Sequence, residues 1–213
     1  EESKRLPLSD AKDYDNIAVN IVSGHGFSQV TEGVKIPTTF RPPLFPLFLA
    51  GIYAVFGHSY IAVKIVQAVL GALLCIIMFF IANTIYNDTK VGIISAILTA
   101  LYKPFVSGFN YYGGPAILYS EYFYMFMLGI TILSVLFFIK KEDKRLGILS
   151  GIFTGLTMLT RPEFALYSLL LFFYLFYASR LSMKKFASKY FIMYFFILLT
   201  LTPWIIRNYV VQG

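Results

Sequence analysis

From Pro43 onward the chain is a succession of long apolar runs broken by short polar loops, whereas the residues before Arg41 mix polar and apolar positions over short distances. A bilayer core of about 30 Å takes roughly 20 helical residues to cross. Six runs are candidates: Ile61 to Ile85, Val91 to Phe109, Ala116 to Ile139, Leu146 to Thr160, Glu163 to Ala178 and Phe186 to Ile206. The stretch from Pro43 to Phe56 is shorter, and at 1.5 Å per residue it reaches only about 21 Å. It predicts a surface-lying or partly inserted helix, begun by Pro42-Pro43 and stopped by Gly57. Further upstream, Ile17, Ala18, Ile21 and Val22 recur at helical spacing behind Asp10, Asp13 and Tyr14. That pattern predicts an amphipathic helix on the membrane surface, with Ser9 or Asp10 as its N-cap. Gly24-His25-Gly26 reads as a flexible turn after it.

The expected fold is therefore an all-α polytopic membrane protein with about six transmembrane helices, plus surface helices in the first extracytoplasmic loop. Residues 1–42 form that loop, 43–57 the short surface or partly inserted helix, and 58–213 the transmembrane bundle. Composition agrees: 58% hydrophobic, 18% aromatic and 14% charged residues lie outside the range of a soluble domain. A net charge of +7 does not point to nucleic acid, because the cations lie in short clusters between apolar runs. One cysteine, Cys75, allows neither an intrachain disulfide nor a cysteine-based metal site. The chain opens on Glu1-Glu2, without an initiator methionine or a signal peptide, so a fragment is expected, with one span missing before it and later parts missing after Gly213.

Loop charge sets the orientation, since short cytoplasmic loops carry an excess of Lys and Arg. Lys140-Lys141-Glu142-Asp143-Lys144-Arg145 and the Arg180, Lys184, Lys185 group fall on one face, taken as inside. Counting back through six spans puts the front block through Arg41, the loop around Asn110 to Pro115, Glu121, Arg161 and Arg207 on the opposite face.

On that face, Asp10 reads either as a helix cap or as a carboxylate positioned to take a proton from an acceptor hydroxyl. Glu121 opens an aromatic apolar stretch, Tyr122 to Met127, where an ionisable side chain is costly and marks a functional site by default. Arg41, Arg161 and Arg207 each stand at the end of an apolar segment, where a guanidinium can grip a phosphate bidentately or simply snorkel. Lys64 and Lys103 are further basic positions near the same face, read as snorkelling. His25 and His58 have no neighbouring ligand set in the sequence, and Asn87-Asp88-Thr89 is set aside as a glycosylation acceptor because its loop falls inside.

The series Asp10-x-x-x-Tyr14-x-x-Ile17-Ala18, Gly24-His25-Gly26-Phe27-Ser28, Arg41-Pro42-Pro43-Leu44-Phe45-Pro46-Leu47-Phe48, Thr160-Arg161-Pro162 and Pro203-Trp204-x-x-Arg207-Asn208-Tyr209 resembles the bacterial branch of the protein mannosyltransferase and aminoarabinose transferase group. These are polytopic GT-C glycosyltransferases, and the likeness runs along nearly the whole chain. It implies a polyprenyl-phosphate-linked sugar as donor and transfer on the extracytoplasmic side of the cell membrane to a lipid, glycan or protein. It implies Asp10 as general base, Glu121 as the second acidic residue of the site, and Arg41 on the donor phosphate with Arg161 and Arg207 as companion cations. Asp13, Tyr14 and Lys103 are secondary candidates, and Asp13 and Asp15 compete with Asp10 for the role of base. The residues demand no metal and leave a divalent ion open. The alternative from another class is a transporter or flippase of a lipid-linked anionic substrate, against which stands the clustering of ionisable residues at one face rather than at mid-membrane.

Overall fold

A computed structural model describes residues 10–31, 33–102, 120–180 and 182–213. The first element is helix α1, Asp10–Val22, whose first turn carries Asp10 and Asp13 at the end where the helix dipole favours negative charge. Its buried face is formed by Tyr14, Ile17 and Ala18 at helical spacing. Gly24 (φ +79°) and Gly26 (φ +64°) then take left-handed conformations that only glycine adopts without strain, and turn the chain.

A short strand pair after this turn adds to an otherwise all-α fold. Strands β1, Ser28–Thr31, and β2, Val34–Pro37, run antiparallel, from Thr31 opposite Val34 to Ser28 opposite Pro37. The pair is short, and its exposed β2 lacks the alternating burial that marks a strand in a sequence.

Helix α2 runs Leu44–Phe56 after Pro43 and ends at Gly57, which sits at φ +69°. At about 1.5 Å per residue its 13 residues are too short to cross a bilayer. Phe45, Leu49, Ala50, Ile52 and Tyr53 are buried, in one core with Tyr14 and Ala18 of α1.

The remaining helices are α3 (Tyr60–Tyr86), α4 (Thr89–Leu101), α5 (Ser120–Lys141), α6 (Lys144–Thr160), α7 (Phe164–Ser179) and α8 (Met183–Gln212). Three of them, α3, α5 and α8, are long and apolar enough to cross a membrane. The other three apolar runs give shorter described helices; of the run expected to Phe109, the part after Tyr102 lies outside the described residues. Asn87, in the left-handed conformation, closes α3, and the Asp88 side chain accepts the Lys90 N–H to open α4, which accounts for the Asn-Asp-Thr sequence as a helix break.

On α3 the exposed residues Ile61, Ile65, Val69, Leu73, Ile76 and Phe80 recur along one side, while Val63, Leu74, Ile77 and Ile81 are buried. An apolar stripe facing outward over the length of a membrane helix is a lipid-facing surface. Inside the bundle the helices approach through small residues. A Cβ on Gly147 would come within 2.7 Å of Ile192 Cγ2, on Gly151 within 2.8 Å of Phe196 Cβ, and on Gly155 within 2.7 Å of Thr200 Cβ. These three glycines, each four residues apart, therefore bring α6 onto α8 more closely than any side chain would allow. On the other side of α6, Thr157 and Thr131 of α5 share a hydrogen bond of 2.8 Å in the core.

Candidate functional site

The paired carboxylates and arginines, Asp10 and Asp13 with Arg41 and Glu121 with Arg161, lie at one end of the bundle. Alternation of helix direction brings the starts of α3 and α5 and the ends of α6 and α8 to that end, and three contacts fix α1, α2 and the hairpin upon it. Tyr60, first in α3, donates to Asp15 at 3.0 Å. Phe123 of α5 stacks on Phe48 of α2 with centroids 4.4 Å apart. Arg207 of α8 donates to the Phe27 and Thr38 carbonyls.

Arg41 lies at the centre of the first cluster. Its Nη2 donates to Asp10 Oδ1 at 2.6 Å and to Asp13 Oδ2 at 2.8 Å, and its Nε donates to Asp13 Oδ2 at 3.2 Å. Helical geometry makes this possible, since positions three apart share one face of α1. The guanidinium lies 5.3 Å from the centroid of Tyr14 and 4.7 Å from that of Phe40. Tyr14 is thus a buried floor beneath the cation, in edge contact with Phe45 at 5.1 Å. Partial burial works to lower the Arg41 pKa, but the hydrogen bonds to Asp13 and then Asp10 outweigh it, so the net direction is up and the cation is held charged. The Arg41 side chain is only 15% exposed and that of Asp10 67%, so the arginine is the fixed member and Asp10 is the carboxylate that meets solvent. Among the described residues Arg41 Nη1 has no hydrogen-bond acceptor, which leaves that edge of the guanidinium for an anion.

Asp15 is separated from this pair by burial. Its Oδ1 accepts from Tyr53 Oη at 2.7 Å and meets His58 Nε2 at 2.9 Å, and its Oδ2 accepts from Tyr60 Oη at 3.0 Å. Both oxygens are consumed inside the protein, so Asp15 joins α1 to the α2–α3 junction rather than facing an acceptor. Burial first, and Asp15 second, push the Tyr53 phenol above its ordinary value, keeping it a donor. Sequence reasoning left Tyr53, His58 and Tyr60 without a role. The available signal was the place of Asp15 three residues before the buried Ala18, on the inward side of the helix.

The second cluster pairs the two residues expected at the ends of α5 and α6. Arg161 Nη2 donates to Glu121 Oε1 at 2.6 Å, with the guanidinium 5.5 Å from the Tyr124 centroid. An aromatic path links the clusters: Tyr14 meets Phe45, and Phe45 meets Phe123, two residues from Glu121, at 5.9 Å. Arg207 stands apart from both, its Nη1 2.5 Å from Thr38 O and its Nη2 2.8 Å from Phe27 O. Lys103 and the loop around Asn110 to Pro115 lie outside the described residues. Among the described residues no three His, Cys, Asp or Glu side chains converge closely enough to hold a metal ion.

At the opposite end, Asp143 caps α6 through the Arg145 N–H and Glu142 pairs with Lys189 at 2.6 Å, close to Lys140, Lys141 and Lys144. One end of the bundle is thus basic, and the other carries carboxylates and arginines in pairs.

Comparison with known proteins adds one finding. The family model of the dolichyl-phosphate-mannose-protein mannosyltransferases matches residues 40–206. The match takes in Arg41, Glu121 and Arg161; Asp10 and Asp13 precede it, and Arg207 lies just past its last residue. No curated protein and no solved structure matches the chain.

Proposed function

Because the chain belongs to the dolichyl-phosphate-mannose-protein mannosyltransferase family of GT-C membrane glycosyltransferases, we propose that it moves a sugar from a polyprenyl-phosphate donor to an extracytoplasmic hydroxyl acceptor at the Asp10–Asp13–Arg41 cluster. The observation that carries this reading is Arg41, fixed between two carboxylates with one edge of its guanidinium left for a phosphate oxygen. In the reaction the acceptor oxygen attacks the anomeric carbon and Asp10 takes its proton. The bond from that carbon to the phosphate oxygen breaks, and polyprenyl phosphate leaves with the electron pair. Arg41, with Arg161, meets the charge that builds on the leaving oxygen, which is where preorganised cations contribute most. Attack opposite the leaving group inverts the anomeric centre. Glu121 orients the sugar or the acceptor and holds Arg161 in place.

In this reading all six apolar runs lie within the membrane, the basic end faces the cytoplasm and the paired end faces outward. The test is mass spectrometry of envelope glycolipids and glycans from cells with and without the intact gene. Accumulation of one polyprenyl-phosphate sugar together with loss of a glycosylated product supports the reading; unchanged pools of both overturn it.

A further inference from the structure

The segment that carries Arg41 is held at its base by a residue from the far end of the chain. Phe27 and Thr38 close the hairpin, Thr38 N–H donating to Phe27 O at 3.2 Å. Arg207 grips both of their carbonyls, at 2.8 Å and 2.5 Å, and its Nη1 also reaches Asn208 Oδ1 at 3.0 Å. The guanidinium sits 5.3 Å from the Phe27 centroid and 5.0 Å from that of Trp204, and these two rings meet edge-on at 4.9 Å. One turn further along α8, Gln212 Nε2 donates to Thr39 Oγ1 at 3.0 Å. Only Thr39 and Phe40 then separate this anchor from Arg41.

We propose that Arg207 is a positioning residue: it fastens the hairpin to α8 so that Arg41 falls between Asp10 and Asp13, rather than binding the donor phosphate itself. The proposal rests on the reading of that cluster as the transfer site. Its physical basis is that the stretch from Thr38 to Pro43 has neither helix nor strand of its own, so its place depends on what grips its start. Bonds from a charged donor to a carbonyl are among the stronger ones, and three guanidinium N–H groups are engaged here. The two carbonyls are reached by separate nitrogens of one planar fork, a geometry that lysine, a single point charge on a flexible stem, does not reproduce.

The test uses the protein in its membrane with Cys75→Ala, and single cysteines placed at Ser28, which is 2% exposed at the hairpin, or at Ser150, buried in α6. Arg207→Ala is expected to raise the maleimide labelling rate of Ser28→Cys by about tenfold or more while Ser150→Cys stays protected. With a polyprenyl-phosphate sugar as donor, kcat is expected to fall by about tenfold or more and donor KM to change by less than about threefold, with Arg207→Lys failing to restore kcat. Protection of Ser28→Cys in Arg207→Ala overturns the proposal, and so does joint opening of Ser28→Cys and Ser150→Cys, which makes the role one of global stability. A raised donor KM with kcat unchanged also overturns it, in favour of a direct phosphate contact. If Ser28→Cys opens as expected but Asp10→Asn turns over normally, the clasp is real and the transfer-site reading is what fails.

Discussion

Arg41 and Asp10 are 31 residues apart in the chain and 2.6 Å apart in space. The contact draws the loop before α2 onto the first turn of α1 and places a cation and a solvent-facing carboxylate side by side. Arg41→Ala removes the cation that bridges Asp10 and Asp13. It is expected to lower kcat/KM for the polyprenyl-phosphate donor by about 10²-fold or more, with Arg41→Lys in between because an ammonium keeps the charge but lacks the second edge of the planar fork that would meet the phosphate. Steady-state kinetics on the two variants measure this.

Asp15 and Tyr53 tie α1 to α2, and their bond makes stability depend on alkaline pH. The folded state holds the Tyr53 proton more tightly than the unfolded chain, whose phenol keeps its ordinary value of 10.0. This contribution is therefore complete below about pH 10 and is lost as pH rises toward the folded-state value. Thermal unfolding of the detergent-solubilised protein between about pH 9 and about pH 11 is expected to show a steeper loss for the wild type than for Tyr53→Phe. Asp15→Ala, which strands the hydroxyls of Tyr53 and Tyr60, is expected to cost on the order of 3 kcal/mol at neutral pH.

Gly151 sits where α6 meets the backbone of α8 at Met193. Gly151→Leu has no space to enter and must push the helices apart, at a cost of about 1 to 3 kcal/mol. A lower melting temperature in detergent is expected, with a smaller effect for leucine at Gly71, where nothing lies within 4 Å of an added Cβ.

Orientation is read from loop charge and is directly measurable. In a Cys75→Ala background, a cysteine at the exposed Val30 is expected to react with a membrane-impermeant maleimide in intact cells, and one at Lys144 only after lysis. The reverse pattern inverts the topology and moves the cluster to the cytoplasm.

Signals that act along the chain were legible in the sequence. Pro43 and Gly57 bracket α2 because a missing N–H and a positive φ act locally, and α1 shows itself through helical spacing. The apolar runs were legible as helices, and α3, α5 and α8 are long and apolar enough to cross a membrane, whereas α4, α6 and α7 are shorter. Contacts between distant residues were not legible. Nothing near Glu121 announces Arg161, 40 residues on, and nothing near Arg207 announces Thr38, 169 residues back. The hairpin escaped because four-residue strands with polar and apolar residues on both faces carry almost no periodic signal. Asp13 and Asp15 competed with Asp10 in the sequence, where the place of Asp15 three residues before Ala18 was the one hint, and burial separates the solvent-facing Asp10 from Asp15, whose oxygens are taken by Tyr53, His58 and Tyr60.

The most direct test is the rate at which the protein in its membrane releases polyprenyl phosphate from a polyprenyl-phosphate sugar, compared between wild type and Asp10→Asn. Loss of a general base is expected to slow release by about 10²-fold or more while membrane insertion and melting temperature hold. Wild-type turnover by Asp10→Asn would contradict the assignment of Asp10 as the base.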